Sequence, residues 1–219
     1  MQLSAIDVGM TNLGLAVIEV TQDWKWSKVL RLERISLNRL LHKHVKRAQC
    51  TLHHTKEASD YVDHFHQEYG HLFADSKFIL IERQPPEGMK HIEQLLFRQY
   101  RDKAQLVHPR TLHKFLKMQH LDYEQRKKRA VELARKQLQE IDSKYVMDDK
   151  TERQHDIADA VNFLAWFVSK KRTEYIKSRK RARTLETIPI DLDDYAFLPQ
   201  EKKVKSRSLA SFMGGSSVE

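Results

Sequence analysis

The chain has 219 residues, of which 40% are hydrophobic and 32% are charged, a composition typical of a globular protein rather than a disordered one. No apolar run reaches the roughly 18 residues that span a bilayer, and no signal peptide is recognisable, so we expect an intracellular protein that is not inserted in a membrane. A net charge of +9 favours a polyanionic partner, most commonly nucleic acid, with an acidic membrane surface as the weaker option. The single cysteine, Cys50, agrees with a reducing compartment.

The N-terminal segment predicts a β-hairpin whose first strand ends on an acid. Residues 6–14 read Ile-Asp-Val-Gly-Met-Thr-Asn-Leu-Gly, in which Gly9 and Gly14 permit a tight reversal. Residues 15–20 are again apolar and β-branched, which is typical of a second, antiparallel strand. Asp7 therefore stands at the end of an apolar strand, where a carboxylate is unfavourable unless a positive group meets it.

Three further segments are predicted to extend the sheet. Residues 29–35 alternate well enough to predict a third strand in a meander. Residues 77–82 form a mostly apolar run that ends in Glu82 and is soon closed by two prolines, as expected for a central strand. Residues 104–108 predict a short last strand. The alternation of strands and helices in this part indicates parallel pairing.

Helices are predicted between and after these strands. Apolar residues at three- and four-residue steps predict amphipathic helices from residue 57 to about 74, over 90–101 and from residue 126 onward. Residues 157–168 are apolar nearly all the way round, which predicts a buried helix. Residues 36–55 are basic and rich in histidine without a clean period, so they predict a loop or an irregular helix on the surface.

The composition changes towards the C-terminus. Residues 170–183 contain eight basic residues and one acid, and the Gly-Gly-Ser-Ser sequence at 214–217 is typical of a disordered tail. We therefore expect one globular domain over residues 1–170, with 36–55 as a candidate insertion. A basic and partly disordered C-terminal extension follows over residues 171–219.

Four acids near apolar sequence are candidates for a metal site: Asp7, Glu82, Asp156 and Asp159. Asp156 and Asp159 are three residues apart, so they project within about 60° of each other at the start of the buried helix. If that helix docks across the ends of the strands carrying Asp7 and Glu82, the four carboxylates converge and their repulsion requires cations. Hard divalent ions prefer oxygen ligands, and two Mg²⁺ ions about 4 Å apart would promote phosphodiester cleavage.

The order of these acids resembles that of the RNase H-like nucleases, specifically the RuvC-like Holliday junction resolvases of poxviruses, related large DNA viruses and mitochondria. The resemblance rests on four motifs, at residues 6–14, 80–85, 126–132 and 156–160. It implies an α/β fold with an RNase H-like five-stranded mixed sheet flanked by helices. It also implies a Mg²⁺-dependent endodeoxyribonuclease that resolves four-way (Holliday) DNA junctions by paired symmetrical nicks and leaves 5′-phosphates.

The resemblance also implies roles for particular residues. The four acids become catalytic residues that hold two Mg²⁺ ions per active site, with Mn²⁺ as a substitute. The residues implied to bind nucleic acid are Lys127, Lys128, Arg129 and Arg83. The implied partners are branched DNA and a second copy of the chain, with no membrane and no small-molecule cofactor. The predicted cellular site is a viral replication site, the nucleus or the mitochondrion, which the residues do not separate.

Several of these residues also have a simpler structural explanation. Asp7 suits a turn, Asp156 suits a helix N-cap, and the basic residues 127–129 suit a solvated helix start. His155 is more typical of a helix start than of a ligand, although some resolvases carry histidine in this motif. The six histidines between residues 42 and 66 raise the idea of a zinc site, but paired cysteines and a two-plus-two ligand spacing are lacking, so the sequence does not favour one. The apolar stripe of the helix over 90–101 predicts core packing, and by analogy with the family it builds the dimer interface; its residues are Ile92, Leu95, Leu96 and Tyr100.

Two other functions compete with the nuclease. Residues 6–12 also resemble the first phosphate loop of actin-like and sugar-kinase ATPases, which need further glycine-rich loops, whereas this chain has six glycines and no cluster before residue 214. A non-enzymatic basic DNA-binding protein would make the acids incidental. Saturable ATP binding without junction cleavage would favour the first alternative, and DNA binding as the whole activity would favour the second.

Overall fold

The computed structural model describes residues 1–47, 49–141 and 153–186, with side chains as far as residue 182. Residues 1–180 form one compact unit, and of the second unit, residues 181–219, only residues 181–186 are described. The predicted disordered tail therefore lies outside the described residues, and the division into a domain and an extension stays a prediction. Within the described ranges, no helix combines the length and the apolar character needed to cross a membrane.

Five strands form one mixed sheet in the order β3-β2-β1-β4-β5. They are β1 Gln2–Asp7, β2 Leu13–Val20, β3 Trp26–Ile35, β4 Ser76–Glu82 and β5 Ala104–Val107. The first three strands pair in antiparallel fashion, whereas β1 with β4 and β4 with β5 are parallel pairs. The predicted meander, the parallel part and the five-stranded mixed sheet are all confirmed.

The described residues contain six helices: α1 Leu37–Val45, α2 Ala58–Ala74, α3 Lys90–Gln99, α4 Pro109–Phe115, α5 Tyr123–Gln139 and α6 Gln154–Glu186. The amphipathic helices predicted near residues 57, 90 and 126 correspond to α2, α3 and α5. Helix α5 begins earlier than predicted because Asp122 and Gln125 form a reciprocal capping box. Helix α6 contains the predicted buried helix and continues through the basic residues after 170.

Two helical segments differ from the sequence prediction. Helix α1 is regular, so the prediction of a loop or an irregular helix over residues 36–55 is wrong for their first part. Ser36 accepts a hydrogen bond from the backbone N–H of Arg39 and starts the helix, whose buried residues are Leu37, Leu40, Leu41 and His44. Helix α4 was not predicted; it begins at Pro109, which suits the first turn of a helix.

The sheet separates two hydrophobic clusters. Ala5 and Leu80 belong to the cluster packed under α5 and α6, whereas Ile6 belongs to the cluster under α1, α2 and α3. Because side chains alternate along a strand, Asp7 and Glu82 project to the same face as Ala5 and Leu80. The strand pattern therefore directs both acids towards α5 and α6.

Candidate active site

Parallel pairing places the first two acids side by side. Ile6 on β1 is paired with Ile81 on β4, so the next residues, Asp7 and Glu82, end neighbouring strands at the same edge of the sheet. Both side chains are partly buried, and the two carboxyl groups act on each other's pKa.

A glycine brings the start of α6 onto this edge. Gly14 on β2 is paired with Asp7, and a Cβ atom at Gly14 would overlap the backbone carbonyl oxygen of Asp156 and lie 3.2 Å from the Cβ of Asp7. The missing side chain therefore lets the first turn of α6 pack directly against the strand ends. Asp156 lies in that turn, and Asp159 follows three residues later on the same side of the helix.

The four carboxyl groups interact electrostatically. Burial, followed by the charges of Glu82 and Asp159, raises the pKa of Asp7 well above its usual range. Burial, followed by the charges of Glu82 and Asp156, raises the pKa of Asp159 to about 7. Burial also raises the pKa of Glu82 and of Asp156. Because burial and mutual repulsion raise these pKa values, a divalent cation would favour the ionised carboxyl groups, and their oxygen donors fit hard divalent ions.

Two residues that the sequence analysis did not single out hold Glu82 in place. The side-chain amide of Gln84 and the backbone N–H of Val8 donate hydrogen bonds to the Glu82 carboxylate. The backbone N–H of Gln84 in turn donates to Glu93 at 2.6 Å, and Glu93 is fully buried with Lys90 at 2.8 Å. A glutamate between Ile92 and Leu96 on the apolar side of α3 was the sequence signal for this support.

Asp156 lies beside one guanidinium group and one imidazole ring. It is 6% exposed, and its two carboxylate oxygens lie 3.3 Å from Nε of Arg153 and 3.2 Å from Nε2 of His155. The N-cap explanation for Asp156 is wrong, because the residue lies inside the first turn of α6. His155 contacts the site through Asp156, but its Nε2 is not aligned as a hydrogen-bond donor and has no such partner in the described part of the chain.

Two clefts with basic walls share Arg153, which contacts Asp156. The first has a volume of about 450 Å³, and its basic lining residues are Arg34, Arg39, Lys43 and Arg153. The second has a volume of about 810 Å³ and runs between α5 and the start of α6; its basic lining residues are Lys127, Lys128, Arg135, Lys136 and Arg153. Arg153 lines both clefts, so it stands at the boundary between them.

The predicted nucleic-acid-binding residues differ in their exposure and in their contacts. Lys127 and Lys128 line the second cleft, and the charge of Lys127 acts on Asp159, with its Nζ 4.0 Å from the ring centroid of Tyr123. Arg129 is exposed and paired with Glu132 at 2.7 Å. Arg83 is exposed directly after Glu82. Lys127 is thus the predicted basic residue whose charge acts on Asp159.

Solved structures share this fold. A crystal structure of the fowlpox virus resolvase with its substrate Holliday junction DNA is 14% identical, with a TM-score of 0.56 over 78% of this chain and 98% of that one. A second structure of the fowlpox virus Holliday junction resolvase is 15% identical, with a TM-score of 0.51 over 78% and 99% of the two chains. RuvC of Thermus thermophilus with a Holliday junction substrate is 16% identical, with a TM-score of 0.50 over 80% and 97%.

The sequence comparisons give the family. No curated protein matches the chain significantly. The family model described as Poxvirus A22 protein matches residues 1–170, which are most of the chain. The resemblance to RuvC-like resolvases, first seen in the order of the acids, is confirmed. The chain therefore belongs to the poxvirus A22 protein family, with the RNase H-like fold of the RuvC-like resolvases.

Proposed function

We propose that the chain is a structure-selective endonuclease that resolves four-way (Holliday) DNA junctions by hydrolysing phosphodiester bonds in paired, symmetrical nicks. The observation that carries the proposal is the meeting of Asp7, Glu82, Asp156 and Asp159 at one sheet edge between two clefts with basic walls. Two similar structures, those of the fowlpox virus resolvase and of RuvC, contain Holliday junction DNA as substrate. We assign the same substrate to this chain.

The four acids would hold two divalent cations, for which we propose Mg²⁺ with Mn²⁺ as a substitute. When bound, these ions supply an activated water and stabilise the leaving 3′-oxygen, which yields 5′-phosphate ends. Val8 and Gln84 would hold Glu82 in place as a ligand, and because burial and the neighbouring acids raise the pKa of Asp7 and of Asp159, both groups would have to ionise to bind a cation.

The basic residues would bind the DNA backbone. Lys127 and Lys128 line one cleft, and Arg39 and Lys43 line the other. Arg153 lines both clefts. Phosphates of two neighbouring strand segments would therefore be neutralised on either side of the acids. The basic residues of α6 after Ser169 add charge that supports binding without sequence preference. This binding would weaken as the salt concentration rises.

Paired nicks need two active sites, so we propose a homodimer. On α3, Ile92 and Leu96 are fully buried in the core of the chain, whereas Leu95 and Tyr100 of the same predicted stripe keep partial exposure. The partly exposed residues are the part of the stripe available to a second copy. Light scattering that gives the mass of one chain both alone and on a junction would contradict the dimer.

The experiment is cleavage of a synthetic four-way junction in Mg²⁺ at enzyme excess. We expect Asp7→Asn and Asp159→Asn each to reduce the cleavage rate by about 10³-fold or more, which is roughly 4 kcal/mol of lost transition-state stabilisation. Binding of the junction, measured in Ca²⁺, should stay within about threefold of wild type because no phosphate contact is removed. Asp102→Asn, an exposed acid after α3, is the matched control and should cut normally.

The competing functions give different results in the same assay. A basic DNA-binding protein without enzymatic activity would bind the junction and leave it intact in wild type. Cleavage that survives Asp7→Asn and Asp159→Asn would remove the acids from the mechanism. Symmetrical nicks mapped on both strand pairs of a mobile junction distinguish a resolvase from a general nuclease.

A further inference from the structure

Three side chains outside the carboxylate site place potential metal ligands close together. They are His44 near the end of α1, Cys50 in the segment after it, and His64 in α2. One ligand atom from each lies within 4.8 Å of the other two. The Sγ of Cys50 lies 3.7 Å from Nδ1 of His44 and 3.6 Å from Nε2 of His64.

These distances match a tetrahedral zinc site. Zinc binds thiolate sulfur at about 2.3 Å and imidazole nitrogen at about 2.0 to 2.1 Å, so tetrahedral geometry separates sulfur and nitrogen by about 3.6 Å. Both measured sulfur–nitrogen distances of Cys50 lie within about 0.2 Å of that value. The thiol of Cys50 is therefore already spaced for a bound ion from both imidazoles, whose ligand nitrogens lie within 4.8 Å of each other.

Both histidines are oriented by the remaining ring nitrogen. His64 is fully buried, and its Nδ1–H donates to the backbone carbonyl of Asp60 at 2.5 Å, which leaves the lone pair of Nε2 facing Cys50. His44 is 2% exposed, and its Nε2 lies 3.3 Å from the Glu68 carboxylate, which leaves Nδ1 facing Cys50. Ligand histidines commonly donate their second N–H to a carboxylate or to a backbone carbonyl in this way.

A fourth potential ligand, His54, lies beside His64. The Nε2 atom of His54 is buried and has no hydrogen-bond partner among the described residues, which is costly for an imidazole nitrogen. The ring centroid of His54 lies 4.8 Å from that of His64. Coordination of a metal would satisfy the unpartnered nitrogen of His54.

We propose that His44, Cys50 and His64 bind a Zn²⁺ ion, with His54 as the fourth ligand, and that this ion is structural. Sulfur and imidazole ligands favour zinc over the hard cations that suit carboxylates. The described residues between α1 and α2 form no regular secondary structure, and the ion would tie this segment to both helices. Four protein ligands leave no open position for a substrate, as is usual for structural zinc.

The first test is the zinc content of the full-length protein. The chain is equilibrated with ZnSO₄ in the presence of excess Mg²⁺, desalted and analysed for metal, and we expect about one zinc ion per chain. Cys50→Ser should retain less than about one tenth of that amount, since it removes the only thiolate. His42→Asn, an exposed histidine on the same helix, is the matched control and should retain the ion. Less than about one tenth of an equivalent in wild type, or equal losses in the two variants, would overturn the proposal.

The second test needs no substitution, so it holds even if Cys50→Ser does not fold. Because Cys50 is the only cysteine, its reaction with a thiol reagent such as Ellman's reagent reports this site alone. Bound zinc should slow that reaction by about tenfold or more, and a chelator should restore it. An unchanged rate with and without zinc would contradict the proposal. Junction cleavage measured on the same samples keeps a failure of the zinc site separate from a failure of the proposed nuclease function.

Discussion

The two ligand clusters lie on opposite faces of the sheet and differ in their chemistry. The cluster on the α5 and α6 face has four carboxyl groups from three distant segments, and burial and mutual repulsion raise their pKa values. The cluster between α1 and α2 has one sulfur and two oriented imidazoles within 21 residues, and its histidines already have hydrogen-bond partners for the nitrogens that face away from Cys50. The first cluster is electrostatically unfavourable without cations, whereas the second is held in place by the surrounding protein.

This difference indicates different roles. Hard oxygen donors at the edge of a sheet, next to open clefts, suit ions that must also contact a phosphate. Sulfur and nitrogen donors packed between two helices suit an ion that stabilises the fold. The proposed catalytic site is expected to reduce stability, and the proposed zinc site is expected to increase it.

The largest expected effect is a difference in cleavage activity between a variant of the carboxylate cluster and a variant of the zinc cluster. Asp159→Asn should lose about 10³-fold in cleavage and keep its zinc, whereas Cys50→Ser should lose its zinc and cut within about threefold of wild type at 25 °C. The cleavage rate is measured on a four-way junction in Mg²⁺, and the zinc content is measured by metal analysis. If Cys50→Ser were as inactive as Asp159→Asn while still folded by circular dichroism, the separation of roles would be wrong.

A smaller effect tests how the acids are assembled. In Gly14→Ala, the new methyl group overlaps the carbonyl oxygen of Asp156, so the start of α6 must shift away from Asp7. We expect cleavage to fall by about tenfold to a hundredfold and stability by about 1 to 3 kcal/mol. The zinc content should not change.

The matched control for this change is Gly70→Ala. Its new methyl group approaches only the His66 side chain on the exposed surface of α2, and alanine favours a helix over glycine. Normal cleavage and stability are expected there. Normal cleavage by Gly14→Ala as well would show that the position of Asp156 is not critical.

The basic cleft beside the acids should contribute to binding. Lys127→Ala combined with Lys128→Ala should weaken junction binding by roughly threefold to tenfold and reduce the slope of log affinity against log salt by about 2. Lys77→Ala at the opposite end of β4 is the control and should leave both values unchanged. Fluorescence anisotropy at several salt concentrations measures the slope, and an unchanged slope would assign both lysines to a solvated surface.

The smallest expected effect is a dependence of thermal stability on pH and Mg²⁺. In the folded protein the pKa of Asp159 is raised from 3.8 to about 7. At pH values between these two numbers, the folded protein therefore binds more protons than the unfolded chain. Stability from this group therefore falls as the pH rises from about 4 to 7 when divalent ions are absent. At pH 8, Mg²⁺ should raise Tm by several degrees, roughly 2 to 4 °C per kcal/mol, and at pH 5 by less.

Asp159→Asn isolates this contribution from the other titrating groups. Burial lowers the pKa of His44, of His113 and of His155, so these groups have the opposite sign and stabilise the fold as the pH rises through their range. The difference in Tm between wild type and Asp159→Asn in EDTA should therefore grow in favour of the variant above pH 5. A constant difference from pH 5 to 8 would contradict the linkage.

Much of the strand pattern could be predicted because it is local. The apolar run that ends in Asp7, the glycines of the hairpin and the apolar run that ends in Glu82 each encode a strand by their own composition, and the structure forms all of these strands. Helix α1 was missed because its four buried residues were masked by the basic residues and histidines between them. An apolar repeat that covers so few residues is difficult to recognise in a charged segment.

The sequence by itself determined the order of strands and helices, the four acids and the excess of positive charge. Only the tertiary structure decided that Gly14 leaves space for the start of α6 and that Glu93 accepts a hydrogen bond from Gln84. It also decided that Cys50 lies close to His44 and His64. The physical reason is that periodicity records which face of an element is buried, whereas a meeting of distant side chains depends on the path of the whole chain. The zinc ligands show this clearly, because neither their spacing nor the lone cysteine matched a recognisable motif, and packing of α1 against α2 brought them together.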